Sequence, residues 1–259
     1  MGPAGYREYA PGVALAAAVE CFWSSRAPAS APPRSHLVLP DGCMDIIFDF
    51  RPEACEPVTV IGTMSRALPI ESPGATDLFA IRFRAGGLPA LLGLDAAELR
   101  DASADLGAFD GPMARELWQR LVEAPEAARP SILARTLVPP AVDPLVAHCT
   151  ARIQAARGKL AIASLERETG ANGRRIERSF ARWVGVGPKT YARVVRFRAL
   201  VAAAQAGQGS WADLAARFGY ADQPHMVREF RAFAGVTPTE YCGGSPAVGF
   251  VQDGVPAAA

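Results

Sequence analysis

The segment Asp222–Tyr241 reads DQPHMVREFRAFAGVTPTEY, and 50 residues upstream Asn172–Tyr191 reads NGRRIERSFARWVGVGPKTY. At that offset Asn172 aligns with Asp222, Ile176 with Met226, Arg178 with Arg228, Phe180 with Phe230, Gly185 with Gly235, Pro188 with Pro238 and Tyr191 with Tyr241. Such register marks one supersecondary unit used twice, since two copies are too few for a solenoid.

Local signals punctuate both copies. In the first, LAIASLERETG (Leu160–Gly170) carries apolar residues at helical spacing and stops at a glycine, after which Asn172 can cap a helix with Ile176, Phe180 and Val184 inward. In the second, Ser210 precedes WADLAARFGY with Asp213 three residues on, and a helix follows with Met226, Phe230 and Phe233 inward. Both second helices end in Gly-Val-x-Pro, where glycine suits the left-handed C-terminal position and proline opens the next helix. Residues 188–205 read as one long helix between the copies.

Two short helices joined by a turn make a helix-turn-helix, whose second helix fits the roughly 12 Å wide major groove of B-DNA. The outward positions are Arg174, Arg175, Glu177, Arg178 and Arg182 in the first copy and Gln223, His225, Arg228 and Arg231 in the second. Arg pairs with guanine, Gln with adenine, and Glu accepts from cytosine. Charge follows the same division. Residues 1–143 hold 12 Lys plus Arg against 18 Asp plus Glu, a net of −6, and residues 144–241 hold 15 against 7, a net of +8. A basic block is often only a solvated face, but coincident with the repeat it points to a polyanion.

On these residues the span from Leu145 to Tyr241 resembles the AraC/XylS transcription regulators, most closely through FGYADQPHMVREFRAFAGVTPTEY (Phe218–Tyr241). The resemblance implies two helix-turn-helix units on a shared helix, reading successive major grooves of double-stranded DNA about one turn, roughly 34 Å, apart. It places base reading on Arg174, Glu177, Arg178, Gln223, His225 and Arg228, and phosphate contacts on Arg175, Arg182, Lys189, Thr190 and Arg231. Glu166 departs from the family's small alanine, and Pro224 occupies an early position of the second recognition helix. RNA polymerase as a partner, with activation of transcription, is implied by the resemblance; repression stays open.

The acidic half shows short apolar runs with turn signals. Leu37–Leu39 and Met44–Phe50 flank the turn Pro40-Asp41-Gly42, Thr59–Ile61 and Leu78–Phe83 read as further strands, and residues 88–137 turn helical. The expected fold class is α+β: a small antiparallel, barrel-like β domain with helices over residues 1–138, a linker at 139–144, an all-α double helix-turn-helix domain over 145–241, and a Gly/Pro/Ala-rich tail at 242–259. The stretch LPDGCMDIIF (Leu39–Phe48) resembles the amino-terminal domain of one branch of the family, which implies a sensor of a small molecule or redox signal, or a homodimerisation module without an effector.

Candidate ligand-sensing residues are Cys43, Asp45 and Trp23. Cys43 and Asp45 alternate on a strand near His36, as a thiol sensor, a ligand contact, or a buried cysteine beside a turn. No nucleophile elbow, P-loop, HExxH or GxGxxG is present, so no enzyme is expected and acid–base chemistry would fall to His36 or to Asp41, Asp45 and Asp49. Five cysteines without a CxxC pair argue against a disulfide framework and a structural zinc. No metal or cofactor is expected. The apolar run Val13–Val19 is too short to span a bilayer, so no membrane partner and a cytoplasmic location are expected.

Overall fold

A computed structural model describes residues 5–72, 74–138 and 141–243; the expected linker residues 139 and 140 and the tail from 244 lie outside the described residues. The first half builds β1 (Tyr6–Tyr9), β2 (Val19–Ala27), β3 (Arg34–Val38), β4 (Met44–Asp49), β5 (Val58–Ile61), β6 (Leu68–Ser72), β7 (Thr76–Phe83) and β8 (Ser103–Asp105), with α1 (Gly87–Leu92), α2 (Gly107–Val122) and α3 (Arg129–Thr136). The second half is helical: α4 (Pro144–Ala155), α5 (Ile162–Thr169), α6 (Gly173–Val184), α7 (Pro188–Gln205), α8 (Trp211–Arg217), α9 (Gln223–Ala234) and α10 (Pro238–Cys242). The class is α+β. No helix among the described residues is long and apolar enough to cross a membrane.

The strands form a six-stranded antiparallel sheet in the order β1-β2-β7-β4-β5-β8, and a separate pair, β3-β6. The large sheet is open at β1 and β8 rather than closed into the expected barrel-like form. Because side chains alternate along a strand, each row across the sheet belongs to one face. Phe22, Ile81, Ile46 and Val60 stand directly opposite one another across four strands and are fully buried beneath Leu88, Leu117, Leu121 and Leu133. The adjacent row, Cys21, Arg82 and Asp45, lies on the opposite face.

Two sequence expectations change here. The turn at Pro40–Gly42 exists, and Gly42 takes the left-handed φ of +79°, but it closes no hairpin: β3 pairs with β6, and β4 with β5 and β7. The cause is burial elsewhere, because Leu37 and Leu39 pack into the core of the second helical unit. Strand β2 escaped notice because Cys21, Phe22, Trp23 and Ser24 are all buried, which erases the apolar/polar alternation that marks a half-exposed strand.

The helical half contains two separate cores. Val146, Cys149, Ile153, Leu165, Ile176, Phe180, Val184 and Tyr191 form the first; Leu200, Leu214, Phe218, Met226, Phe230 and Phe233 belong to the second with Phe197. Helix α7 serves both, giving Tyr191, Ala192 and Val195 to the first and Val194, Phe197, Leu200, Val201 and Ala203 to the second. The repeat extends to polar detail: Gln154 Nε2 donates to the Tyr191 hydroxyl at 2.9 Å, and Gln205 Nε2 to the Tyr241 hydroxyl at 3.0 Å. Phe197 meets Phe230 edge-on, with ring centroids 5.2 Å apart. Phe197→Ala is expected to destabilise the chain by about 3–5 kcal/mol, from lost burial plus the cavity left behind, measurable by urea denaturation.

Candidate nucleic-acid interface

The second helix of each unit is set by its caps. Asn172 Oδ1 accepts from Arg175 N at 2.9 Å to start α6, and Asp222 Oδ1 accepts from His225 N at 2.6 Å to start α9. Gly185 and Gly235 end them in the left-handed region, at φ 82° and 75°. With Ile176, Phe180 and Val184 inward on α6, and Met226, Phe230 and Phe233 inward on α9, the opposite stripes face solvent.

Arg174, Arg175, Glu177, Arg178 and Arg182 are exposed along α6, as are Gln223, Arg228 and Arg231 on α9. Among the described residues no ion pair involves Arg174, Arg175, Arg178, Arg182, Arg228 or Arg231. Other arginines are structural. Arg152 forks onto Glu168 at 2.7 and 2.9 Å, while Arg193 Nε and Arg196 Nη2 reach the buried Glu229 at 2.8 and 2.7 Å. The basic residues thus separate into those that hold helices together and those whose donors remain open to an external anion.

His225 is half-buried. Its Nδ1 accepts from Ala221 N at 3.4 Å and its ring meets Tyr220 edge-on, so the neutral ring carries its proton on Nε2. Lys189 is exposed at the start of α7 and Thr190 is partly covered. Lys189 and His225, from different units, line one open groove of about 680 Å³ together with Lys159, Arg193, Arg196 and Glu229.

Both departures from the family pattern are accommodated locally. A side chain at Gly173 would put its Cβ 2.5 Å from Glu166 Oε1, so the glycine makes room for the larger residue. That carboxylate lies beside the first turn of α6, where the helix dipole favours negative charge. Pro224 sits in the first turn of α9, where the missing N–H has no intrahelical partner to lose.

In the first half, Trp23, Asp45 and the turn bearing Cys43 converge on a residue that sequence reasoning missed, Arg82. Trp23 Nε1 donates to Asp45 Oδ1 at 2.9 Å, Arg82 Nε lies 3.3 Å from the same oxygen and 3.6 Å from Asp41 Oδ2, and Asp41 Oδ1 accepts from Cys43 N at 2.9 Å. The signal available was an arginine inside an apolar strand, LFAIRF (Leu78–Phe83), which needs a buried carboxylate. Burial raises the Asp45 carboxyl above its ordinary value, while Arg82 acts against it. Burial also pushes the Cys43 thiol well above its usual value, so it is a neutral thiol and a poor nucleophile at pH 7. His36 belongs to the other sheet, opposite Ile70, and Asp49 is held by Arg51 Nε at 2.9 Å. Among the described residues no three His, Cys, Asp or Glu side chains converge as a metal site.

Residues 165–243 match the family described as "Helix-turn-helix domain", and residues 7–105 match a "Domain of unknown function", DUF6597. No curated protein matches the sequence. Solved structures similar to this chain include an apo lysine-to-alanine variant of ToxT from Vibrio cholerae strain SCE256, with 12% identity, TM-score 0.45 and coverage of 85% of this chain and 96% of that one. ToxT from Vibrio cholerae O395 is 10% identical at TM-score 0.42, covering 97% and 98%, and unsaturated fatty acid bound wild-type ToxT from strain SCE256 is 10% identical at 0.43, covering 83% and 96%.

Glu229 generates a test of the frame behind the interface. Burial works to raise its carboxyl, but hydrogen bonds from Arg193 and Arg196 outweigh burial and bring it below the ordinary carboxylate value. A depressed carboxyl stabilises the fold above its unfolded pKa and loses that contribution as pH falls through the folded one. Glu229→Ala is expected to cost about 2–3 kcal/mol at pH 7. The difference from the unaltered chain should shrink on acidification below the usual carboxylate range, as followed by thermal melts across pH.

Proposed function

We propose, from the AraC-type helix-turn-helix domain at residues 165–243, that this chain is a sequence-specific regulator of transcription in which α6 and α9 enter successive major grooves. The observation that carries this reading is the pair of outward stripes, exposed Arg174, Glu177 and Arg178 on α6 and exposed Gln223 and Arg228 with half-buried His225 on α9, placed by equivalent caps on equivalent helices. Bidentate guanidinium, amide and carboxylate groups at these positions suit base edges. Arg175, Arg182, Lys189, Thr190 and Arg231 then hold phosphates and supply the salt-dependent, sequence-independent share of affinity. Because His225 is tied to the turn beneath it, it offers one donor, Nε2–H, and Arg228 carries more of the choice in the second groove.

The first half is the regulatory part in this reading. A small-molecule signal fits better than a thiol switch, because the Cys43 sulfur, only partly accessible, is held as a protonated thiol. The polar row centred on Arg82 supports that assignment: Gly42, in the turn beside it, lies so close to Tyr191 of α7 that a Cβ there would be 2.6 Å from the ring. A ligand displacing Asp41 or Asp45 from Arg82 would therefore act on a turn already seated on the DNA-binding half.

Selection from random duplexes with the full chain, at one salt concentration, should return a motif of two half-elements about one helical turn apart. No enrichment of any sequence would sink the proposal. On the selected site Arg178→Ala and Arg228→Ala are each expected to cost about 1–3 kcal/mol and to relax preference in one half-element, whereas Lys189→Ala should weaken all sequences alike and reduce the salt slope by about one.

A further inference from the structure

The loop at residues 62–67, between β5 and β6, touches both α6 and α9 in their last turns. Thr63, 1% exposed, donates from Oγ1 to the carbonyl of Val184 at 2.6 Å. Four residues later Ala67 N donates to the carbonyl of Phe233, also at 2.6 Å. Val184 is the last residue of α6 and Phe233 the next to last of α9, so both carbonyls lie in final turns that leave them without intrahelical partners.

The loop itself is braced. Gly62 N donates to Ala102 O at 3.0 Å, and Asp101 N to Thr63 O at 3.1 Å. The Asp101 carboxylate accepts from Ser65 N and Ser65 Oγ, both at 2.6 Å. Asp101 adopts a left-handed φ of 56°, a conformation that aspartate tolerates better than most side chains and that the bonds to Thr63 and Ser65 hold in place here. Gly62 passes so close to Leu99 O that any side chain would put its Cβ 1.7 Å away.

We propose that this loop is a clamp that sets the distance and angle between α6 and α9, and hence the spacing between the two DNA half-elements that the chain accepts. The inference rests on the DNA reading above and adds Thr63 and Asp101 to it as positioning residues that touch no DNA. The reason is mechanical. The two units have separate cores and are joined by α7 and by one exposed bond, Lys159 Nζ to Arg217 O at 3.4 Å, so without a further tie their relative angle rests on one helix and one weak contact. A buried connection, from one rigid loop to both helix C-termini, closes the frame. One base pair added between half-elements moves the second site by about 3.4 Å and roughly 34° around the helix axis, which a closed frame resists and an open one follows.

The test titrates the full chain on its selected duplex and on duplexes with one base pair inserted or removed between half-elements. The unaltered chain should prefer the native spacing by about tenfold or more, the scale of a mismatched base pair. Thr63→Val keeps the branched shape and removes the donor; Asp101→Ala, at an exposed position, releases Ser65. Both should lower the spacing preference to about threefold or less, with affinity for a duplex carrying one half-element unchanged, and Thr63→Ser should restore the preference. A cooperative melt confirms that each variant folds, and Asp101→Ala carries the test if Thr63→Val does not. Spacing preference equal to that of the unaltered chain in a folded variant overturns the clamp. So does tolerance of altered spacing by the unaltered chain itself. Loss of all sequence selectivity in the unaltered chain overturns the DNA reading and the clamp together.

Discussion

The architecture of the second half depends on one continuous helix that belongs to two hydrophobic cores. Tyr191 and Ala192 are buried with Ile176 and Phe180; Phe197 and Leu200, about two turns further on, are buried with Met226 and Phe230. A helix cannot bend sharply without breaking its hydrogen-bond ladder, so α7 transmits the placement of one unit to the other. Everything that faces outward inherits its direction from this axis. The duplicated caps and duplicated Gln–Tyr bonds reproduce the same local geometry at each end.

The first half is organised by the two faces of its sheet. One face is an ordinary apolar core under three helices. The other carries Arg82 between two carboxylates, with the indole of Trp23 bonded to one of them. Charges buried this way contribute little net stability compared with apolar packing, yet leaving one unpartnered is costly. Their role is better understood as fixing the turn at Asp41–Cys43, which sits on Tyr191. Together with Leu39, Thr63 and Ala67, this makes the contact between halves a distributed seam in which apolar burial and single hydrogen bonds act on different helices.

Reading the helical half from sequence succeeded where the signals are local. Asn172, Ser210, Asp222, Gly185, Gly235, Pro188 and Pro238 each act within a few residues of themselves, and the elements begin and end where those residues require. The strands were harder. Met44–Phe50 and Leu78–Phe83 are legible as apolar runs, close to the strands observed at Met44–Asp49 and Thr76–Phe83, whereas β1, β6 and β8 are short, and β2 is buried on both faces. Cys43, Asp45 and Trp23 were recognisable as candidates, but Arg82, which joins them, was not, because its partners stand 37 and 41 residues away along the chain.

The sequence by itself therefore determined the duplicated unit, its helix limits and the side chains on each outer stripe, since period and capping are short-range properties of the chain. Tertiary structure decided which arginines are structural and which remain open, why β3 leaves β4 to join β6, and how residues 62–67 reach both α6 and α9. Those outcomes depend on contacts between residues dozens to more than a hundred positions apart, as between Thr63 and Val184. No local pattern encodes them, because the burial that drives such contacts is a property of the assembled core.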